Sequence, residues 1–259
     1  MYKRQVYDAN NINPLYGFFV ARAGLGASES MRSKLAEYND PRLSRAFITK
    51  QGTSGKEQAP GTADNAVYAP NGTPEQGTSK YGTSLFMYSI SAPTLLLSYH
   101  ELKFLEAEAL CRLERDAKSA LKDAVVAGLL NAENSFTISR KELGKTLINA
   151  ASSITEAEAE SYFDNTIEAK YTAEPLKTTM TQKYFALWGA SGEATESYND
   201  VRRMKGLGEN FIELKNPNSF PLRCPYGNSD TTTNAEVKAA YGNGQYVYSE
   251  NVWWAGGSR

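Results

Sequence analysis

The stretch that decides the fold is Tyr99–Leu113, YHELKFLEAEALCRL, followed almost at once by Asp116–Leu130, DAKSALKDAVVAGLL. In the first stretch, apolar residues recur at helical spacing and define one predicted buried face: Tyr99, Leu102, Leu105, Ala109 and Leu113. In the second stretch, the corresponding face consists of Ala117, Leu121, Ala124 and Val125. We expect Thr94 to cap the first helix. Since only Arg115–Asp116 separates the two helices, they should form an antiparallel hairpin of the tetratricopeptide type.

Outward from this hairpin, the same periodicity predicts further helices. The predicted segments are 28–38 with Ser28 as N-cap, 139–151, 155–170 with Thr155 as N-cap, 174–188, and 192–204. Residues 1–26 and 50–84 are expected to be irregular, while Leu85–Tyr88 and the tail from Tyr246 to Trp254 are expected to be extended. The predicted fold class is mainly α, with tetratricopeptide-like helical hairpins, long irregular loops and a few short strands. The chain divides into a loop-rich part (1–93), a helical part (94–205) and an irregular tail (206–259).

The composition favours a binding protein over an enzyme. The chain has 259 residues, a single histidine, and 16 Tyr, 10 Phe and 3 Trp. One histidine excludes a site with several histidine ligands, and no cysteine cluster suggests zinc, so we predict no metal site and no cofactor. The formal net charge of −1 gives no field that would favour nucleic acid. Aromatic rings with polar neighbours suit holding a ligand.

Four short segments, in order along the chain, identify a family. They are Asn39–Leu43 (NDPRL), Leu97–Ala109 (LSYHELKFLEAEA), Gln182–Trp188 (QKYFALW) with Tyr198–Arg203 (YNDVRR), and a terminal set of Pro225, Tyr226, Asn234, Trp253 and Trp254. With these segments the chain resembles the SusD/RagB family of outer-membrane nutrient-binding lipoproteins from Bacteroidota, in particular its SusD-like branch. Family members are usually much longer, so the chain resembles the carboxy-terminal part of one and lacks the lipoprotein signal and lipid-acceptor cysteine.

The resemblance implies a function without catalysis. It implies a surface-exposed lipoprotein of the outer membrane that binds oligosaccharide and delivers it to a SusC-like TonB-dependent transporter. Alternatives are a peptide-binding member of the same family, or a helical scaffold whose only ligand is its transporter partner. A glycoside hydrolase is a third class, since 29 acidic residues make some suitably spaced pair almost inevitable. No sequence feature selects such a pair.

The candidate ligand-binding residues are the aromatic residues of the polar, glycine-rich loops: Tyr68, Tyr81 and Phe86. Their rings would stack on a sugar while nearby Asn, Thr and Ser bond its hydroxyls. Anchoring the loop to the helices is an equally good role for them. For Trp188 and the Trp253–Trp254 pair we expect structural roles. The same holds for His100, for Glu101 and Glu108, and for Arg202–Arg203, which should pair within the molecule.

Overall fold

The computed structural model describes residues 11–22, 26–51, 56–58, 67–72, 81–144, 147–148, 151–215, 219–242 and 246–257. These residues are mostly helical with a few short strands, which confirms the predicted fold class. In chain order the helices are α1 (Pro14–Arg22), α2 (Glu29–Glu37), α3 (Tyr99–Arg112), α4 (Lys118–Leu143), α5 (Glu156–Tyr162), α6 (Glu168–Ala173), α7 (Pro175–Leu187), α8 (Ala194–Gly206), α9 (Asn228–Thr233) and α10 (Ala235–Tyr241). The chain forms two compact units, Met1–Leu214 and Lys215–Arg259.

Helices α3 and α4 form the predicted antiparallel hairpin and pack closely on each other. The N-cap of α3 is Ser98, whose hydroxyl accepts a hydrogen bond from the Glu101 N–H at 3.1 Å. The prediction of Thr94 was therefore wrong by four residues. Helix α4 has the predicted buried stripe, but it continues for more than three further turns past Leu130, to Leu143. No glycine or proline follows Leu130 until Gly144, so nothing in the sequence ends the helix earlier.

The predicted buried face of α3 is the exposed one. The side chains that α3 buries are His100, Glu101, Phe104, Ala107 and Glu108. The expected residues Tyr99, Leu102, Leu105 and Leu113 are 41 to 64% exposed, and Ala109 is exposed as well. The reason is that α3 carries apolar residues on two opposite faces, and spacing alone does not show which face meets α4 and α7.

Helix α7 lies against both members of the hairpin and completes the core around them. A Cβ atom built on Gly128 of α4 would lie 3.0 Å from the Cβ of Ala186 in α7. Glycine thus allows the two helices to approach closely. The prediction of a helix over 174–188 is confirmed almost to the residue, with Pro175 in the first turn.

A π-helical turn, Phe163–Ile167, joins α5 to α6 and makes one continuous helical stretch. The Thr155 hydroxyl caps it by accepting from the Glu158 N–H at 3.2 Å, as predicted. Tyr162 and Tyr171, on either side of the turn, both point inward. The Tyr171 hydroxyl accepts a hydrogen bond from the Ala117 N–H at 2.7 Å, at the start of α4.

Four further expectations about local structure were wrong. The separate helix predicted over 139–151 does not form, because residues 139–143 are the end of α4 and Leu147–Ile148 is a strand. Leu85–Tyr88 is a 3-10 helix capped by Ser84, not an extended segment. Helix α1 lies in a part of the chain that was expected to be irregular. The tail contains α9 and α10, and its described end forms turns and a short 3-10 helix, Trp253–Ala255. Short helices of this kind carry too little periodicity to be read from sequence.

A small sheet crosses the amino-terminal part. Its strands are β1 (Phe47–Gln51), β2 (Lys56–Gln58), β3 (Thr83–Ser84) and β4 (Leu147–Ile148), in the order β3-β1-β2-β4. Strand β1 pairs antiparallel with both neighbours, and β2 pairs parallel with β4. Much of the predicted 50–84 loop lies outside the described residues. Its described ends belong partly to this sheet.

Candidate functional site

A groove of about 800 Å³ lies in the first unit, with one wall at the amino-terminal end of α3. Its other wall is one face of α4, and α5 contributes two carboxylates, Glu156 and Glu160. The described lining residues are Leu95, Leu97, Ser98, Tyr99, His100, Lys122, Asp123, Val126, Ala127, Leu130, Asn131 and Asn134, besides the two of α5. An open, partly apolar groove with several amides and carboxylates has the character of a site for a polar organic ligand.

Tyr99 is the aromatic residue of this groove. Its side chain is 59% exposed, and the Lys103 ammonium lies 5.9 Å from the ring centroid. Asn131 and Asn134 stand three residues apart on α4, so their amides share one face of that helix. A tyrosine ring with amides nearby offers an apolar surface for a pyranose and donors and acceptors for its hydroxyls.

A cluster of buried ionisable groups lies at the start of α3, next to Tyr99 in the sequence. The His100 imidazole is buried, and its Nε2 lies 3.6 Å from Oε2 of Glu193. Burial, with the nearby charge of Arg42, lowers the pKa of His100 from 6.5 to about 4, so the ring is neutral at pH 7. Glu193 also accepts a hydrogen bond from the Ser98 N–H, which joins the segment before α8 to the start of α3.

Glu101 completes this cluster. Burial, a hydrogen bond with Glu193 and the negative charge of that residue raise the pKa of Glu101 from 4.5 to about 7. The cluster faces the protein interior, since both carboxylate side chains are almost fully covered. It ties the start of α3 to the segment before α8 through the Ser98–Glu193 hydrogen bond. Within the described part of the chain, His100 Nε2 and Glu193 Oε2 are buried without a hydrogen-bond partner.

The structure places the three predicted ligand-binding residues away from this groove, with two of them in the core. Tyr68 is buried, with its ring edge-on to Phe47 at 5.3 Å and the Arg32 guanidinium 5.0 Å from its centroid. Phe86 is buried among other aromatic rings. Tyr81 is half-buried. None of the three lines the groove. As ligand contacts they stay predictions.

Several residues for which we expected structural roles have them. Trp188 stacks on Phe47 at 5.2 Å and meets Phe86 edge-on at 5.1 Å. Glu108 accepts hydrogen bonds from Arg112 and Arg203, and these cations hold its pKa below the usual value despite burial. The Glu108 carboxylate is therefore occupied by ion pairs within the protein.

Trp253 is different from the expectation. We expected a structural role for it, but its side chain is 74% exposed. Tyr248, in the same unit, is also exposed. Exposed aromatic side chains in a tail rich in Asn, Tyr and Gly are a second candidate surface for stacking on a ligand. The sequence shows that the tail is rich in aromatic residues, but it does not show that these side chains are exposed.

Comparison with known proteins decides the family. A sequence model of the SusD-like family, described as starch-binding and associating with the outer membrane, matches residues 4–226. The chain belongs to the SusD-like family. Two of the segments that carry the sequence resemblance have clear positions in this fold. Asp40 and Arg42 form a buried pair, and the segment 97–109 contains the N-cap Ser98 and most of α3. Proteins of this family are binding proteins associated with the outer membrane.

Two solved structures share the fold of this SusD-like chain. A SusD/RagB family protein from Bacteroides thetaiotaomicron is 64% identical, with a TM-score of 0.88 over 98% of this chain and 55% of that chain. A second solved structure is that of a protein from Bacteroides vulgatus, whose assignment to nutrient binding at the outer membrane is an inference. It is 20% identical to this chain, with a TM-score of 0.57. That match covers 87% of this chain and 50% of the other, and it shows the fold alone.

The SusD-like chain therefore spans about half the length of these two relatives. No curated protein matches it. Within the part of the chain that the structure describes, no helix is long and apolar enough to cross a membrane.

Proposed function

We propose that this SusD-like protein binds oligosaccharide nutrients at the bacterial outer surface, as part of a lipoprotein, and delivers them to a SusC-like TonB-dependent transporter. Binding uses ring stacking and hydrogen bonds on a rigid helical frame. No covalent bond is made or broken.

The observation that carries this proposal is the groove with exposed Tyr99 in a member of a family described as starch-binding. Tyr99 offers its ring, and Asn131, Asn134 and Asp123 offer polar atoms along the opposite wall. Helices α3 and α4 hold both walls in a packed hairpin, so little ordering entropy is lost when a sugar binds.

The proposal is tested by isothermal titration of the protein with a panel of oligosaccharides that includes starch-derived chains. We expect binding to at least one of them. Replacing Tyr99 by alanine should weaken that binding by about tenfold, which corresponds to roughly 1.4 kcal/mol. Tyr198→Ala is the matched control, because Tyr198 is an exposed tyrosine of α8 outside the groove. It should leave the affinity unchanged.

Two results would redirect the proposal. If Trp253→Ala abolishes binding while Tyr99→Ala does not, the oligosaccharide site is the exposed aromatic surface of the second unit. If no oligosaccharide binds and peptides bind instead, the protein is a peptide-binding member of the family. Catalysis would appear as turnover of a chromogenic glycan that is abolished by one carboxylate substitution.

Delivery to a transporter is tested separately, by co-purification with a SusC-like protein from the outer membrane. Tyr99→Ala distinguishes a ligand-binding role from a pure scaffold, because a ligand-binding role predicts that the variant keeps the transporter and loses sugar affinity. Tyr81→Ala tests whether the loop also contacts the ligand, because Tyr81 is the predicted loop residue whose side chain is partly exposed. Tyr68→Ala and Phe86→Ala would also remove core contacts, so they test the loop less cleanly.

A further inference from the structure

The α4 wall of the groove changes in character along its length. Lys122 and Asp123 lie at one end and Asn134 at the other, and the rise of the helix places these ends about 18 Å apart. The wall between them is apolar and consists of Val126, Ala127 and Leu130. The groove therefore offers a ligand charge at one end, apolar surface in the centre and amides at the other end.

The apolar centre of the groove faces a second apolar wall at the start of α3. Leu97 is 50% exposed there, and Leu95 and Tyr99, two residues before and after it, line the groove as well. A chain of plain hexoses has one apolar face of ring C–H groups, which a tyrosine ring covers. The leucine and valine side chains add apolar surface beyond that ring, and a sugar uses this surface only if it carries an apolar substituent.

The amides of Asn131 and Asn134 are available to a ligand. Both side chains are at least partly exposed, and neither forms a side-chain hydrogen bond within the described part of the chain. Each amide offers one carbonyl acceptor and two N–H donors. Leu130 directly precedes Asn131 and lies one helical turn from Asn134, so apolar surface and amides are adjacent. An acetamido group has the same pairing, with a methyl group beside an amide.

The charges of the groove disfavour anionic sugars. Glu156 and Glu160 lie one turn apart on α5, and neither is ion-paired with any residue that the structure describes. Lys122 binds both carboxylate oxygens of Asp164, at 2.7 and 2.9 Å, so its charge is already neutralised. Uronic acids and sulfated sugars would meet carboxylates of like charge. The N–H of an acetamido group, by contrast, can donate to a carboxylate.

We propose that the groove selects oligosaccharides of N-acetylhexosamines, with the acetamido methyl group on the apolar centre and its amide bonded to Asn131 or Asn134. This inference rests on the proposed function, because it names the sugar class of the same groove. A free amino sugar fits less well, since its ammonium group would lose hydration on the apolar centre. Leu97 and Asn134 are then specificity-determining residues, while Tyr99 serves every sugar through its ring.

The test compares three tetrasaccharides that share the linkage of cellulose and differ only in the substituent next to the anomeric carbon. This substituent is acetamido in the N-acetylglucosamine chain, ammonium in the glucosamine chain and hydroxyl in the glucose chain. Isothermal titration of the protein should show the acetamido chain bound at least about fivefold more tightly than the hydroxyl chain, which corresponds to roughly 1 kcal/mol. One buried methyl group and one added hydrogen bond have effects of this size.

Two substitutions at exposed positions locate the preference in the groove. Leu97→Asn and Asn134→Ala should each reduce the preference for the acetamido chain to about twofold or less, with little change in affinity for the hydroxyl chain. A purely structural role would weaken all three sugars together. Leu207→Asn is the control, since Leu207 is 59% exposed and does not line the groove. It should keep the full preference.

Other outcomes would overturn the inference. Equal affinity for the acetamido and hydroxyl chains would do so, and so would a preference that both groove variants retain. Tightest binding of the glucosamine chain would show that the carboxylates dominate recognition and that the N-acetyl assignment is wrong. Binding of starch-derived chains alone would reject the inference and leave the proposed function standing. If no oligosaccharide binds at all, both are wrong.

Discussion

At the scale of single residues, the buried pair of Asp40 and Arg42 explains why the NDPRL segment is so distinctive in the sequence. The Arg42 guanidinium donates to both carboxylate oxygens of Asp40, at 2.8 and 2.6 Å, and to the Phe185 carbonyl oxygen at 2.7 Å. Both side chains are almost completely buried. The arginine thus joins the turn after α2 to the end of α7.

We predict that Arg42→Met lowers the free energy of unfolding by about 3–5 kcal/mol, because it leaves the Asp40 carboxylate buried without a counter-ion. Urea denaturation measures this loss. Lys177→Met is the matched control, since Lys177 forms an exposed pair with Glu174. Its effect should be below about 1 kcal/mol. Equal losses for both variants would show that the pair does not hold the turn.

His100 and Glu101 should make the stability of the protein depend on pH in opposite directions. The raised pKa of Glu101, about 7, contributes stability that is fully present below pH 4.5 and is lost as the pH rises through 7. The lowered pKa of His100, about 4, contributes stability that is present above pH 6.5 and is lost as the pH falls through 4. The sequence showed neither effect, since both shifts arise mainly from burial in the folded protein, with a contribution from Arg42 for His100 and from Glu193 for Glu101.

We therefore expect Glu101→Gln to change the pH profile of thermal unfolding. Between pH 5 and pH 8 the melting temperature of the unaltered protein should fall relative to that of the variant, because only the unaltered protein must ionise a buried carboxyl. Glu106→Gln, at an exposed position of the same helix, should follow the unaltered profile. Parallel profiles for Glu101→Gln and the unaltered protein would contradict the assignment.

At the scale of elements, the sequence predicts helices well where caps and periodicity agree. The Ser28 and Thr155 caps and the α3–α4 hairpin are examples. It fails at the orientation of α3, because a helix with apolar residues on two faces has no unique buried side. It also fails at short helices such as α1, which owe their existence to packing. The groove was missed for the first reason, since Tyr99 was assigned to the core.

The close approach of α4 and α7 gives the next prediction. Gly128→Leu should lower the free energy of unfolding by about 1–3 kcal/mol, because even a Cβ atom at this position lies 3.0 Å from the Ala186 Cβ. Gly206→Leu is the control, since a Cβ at Gly206 meets nothing within 4 Å. Chemical denaturation of the two variants compares them directly, and a neutral Gly128→Leu would mean that the helices can separate freely.

At the scale of the whole molecule, composition favours a binding protein but does not locate the residues that would contact a ligand. The near-zero net charge and the many aromatic residues agree with membership in a nutrient-binding family. The positions of Tyr68 and Phe86 show the limit of such reasoning. A glycine-rich loop suggests exposed rings, but the chain uses these rings to fasten the loop to its core.

The same charge balance predicts how binding responds to salt. With a net charge of −1, affinity for a neutral oligosaccharide should change by less than about twofold between roughly 0.05 and 0.5 M NaCl, because stacking and neutral hydrogen bonds are not screened. Titration at both salt concentrations measures this. Heparin is the charged comparison ligand. A neutral sugar whose affinity fell tenfold would point to a binding mode dominated by ion pairs.

The π-helical turn Phe163–Ile167 has a consequence for insertions and deletions. This π-helical turn contains one residue more than the α-helical turn that it replaces. The side chains after it are therefore rotated about the helix axis by about 100° relative to an uninterrupted α-helix. Deleting one residue there would restore an ordinary α-helix with all of its backbone hydrogen bonds. It would also rotate Tyr171 away from the start of α4, where its hydroxyl accepts from the Ala117 N–H. Length variation at this point would therefore misalign side chains without breaking the helix.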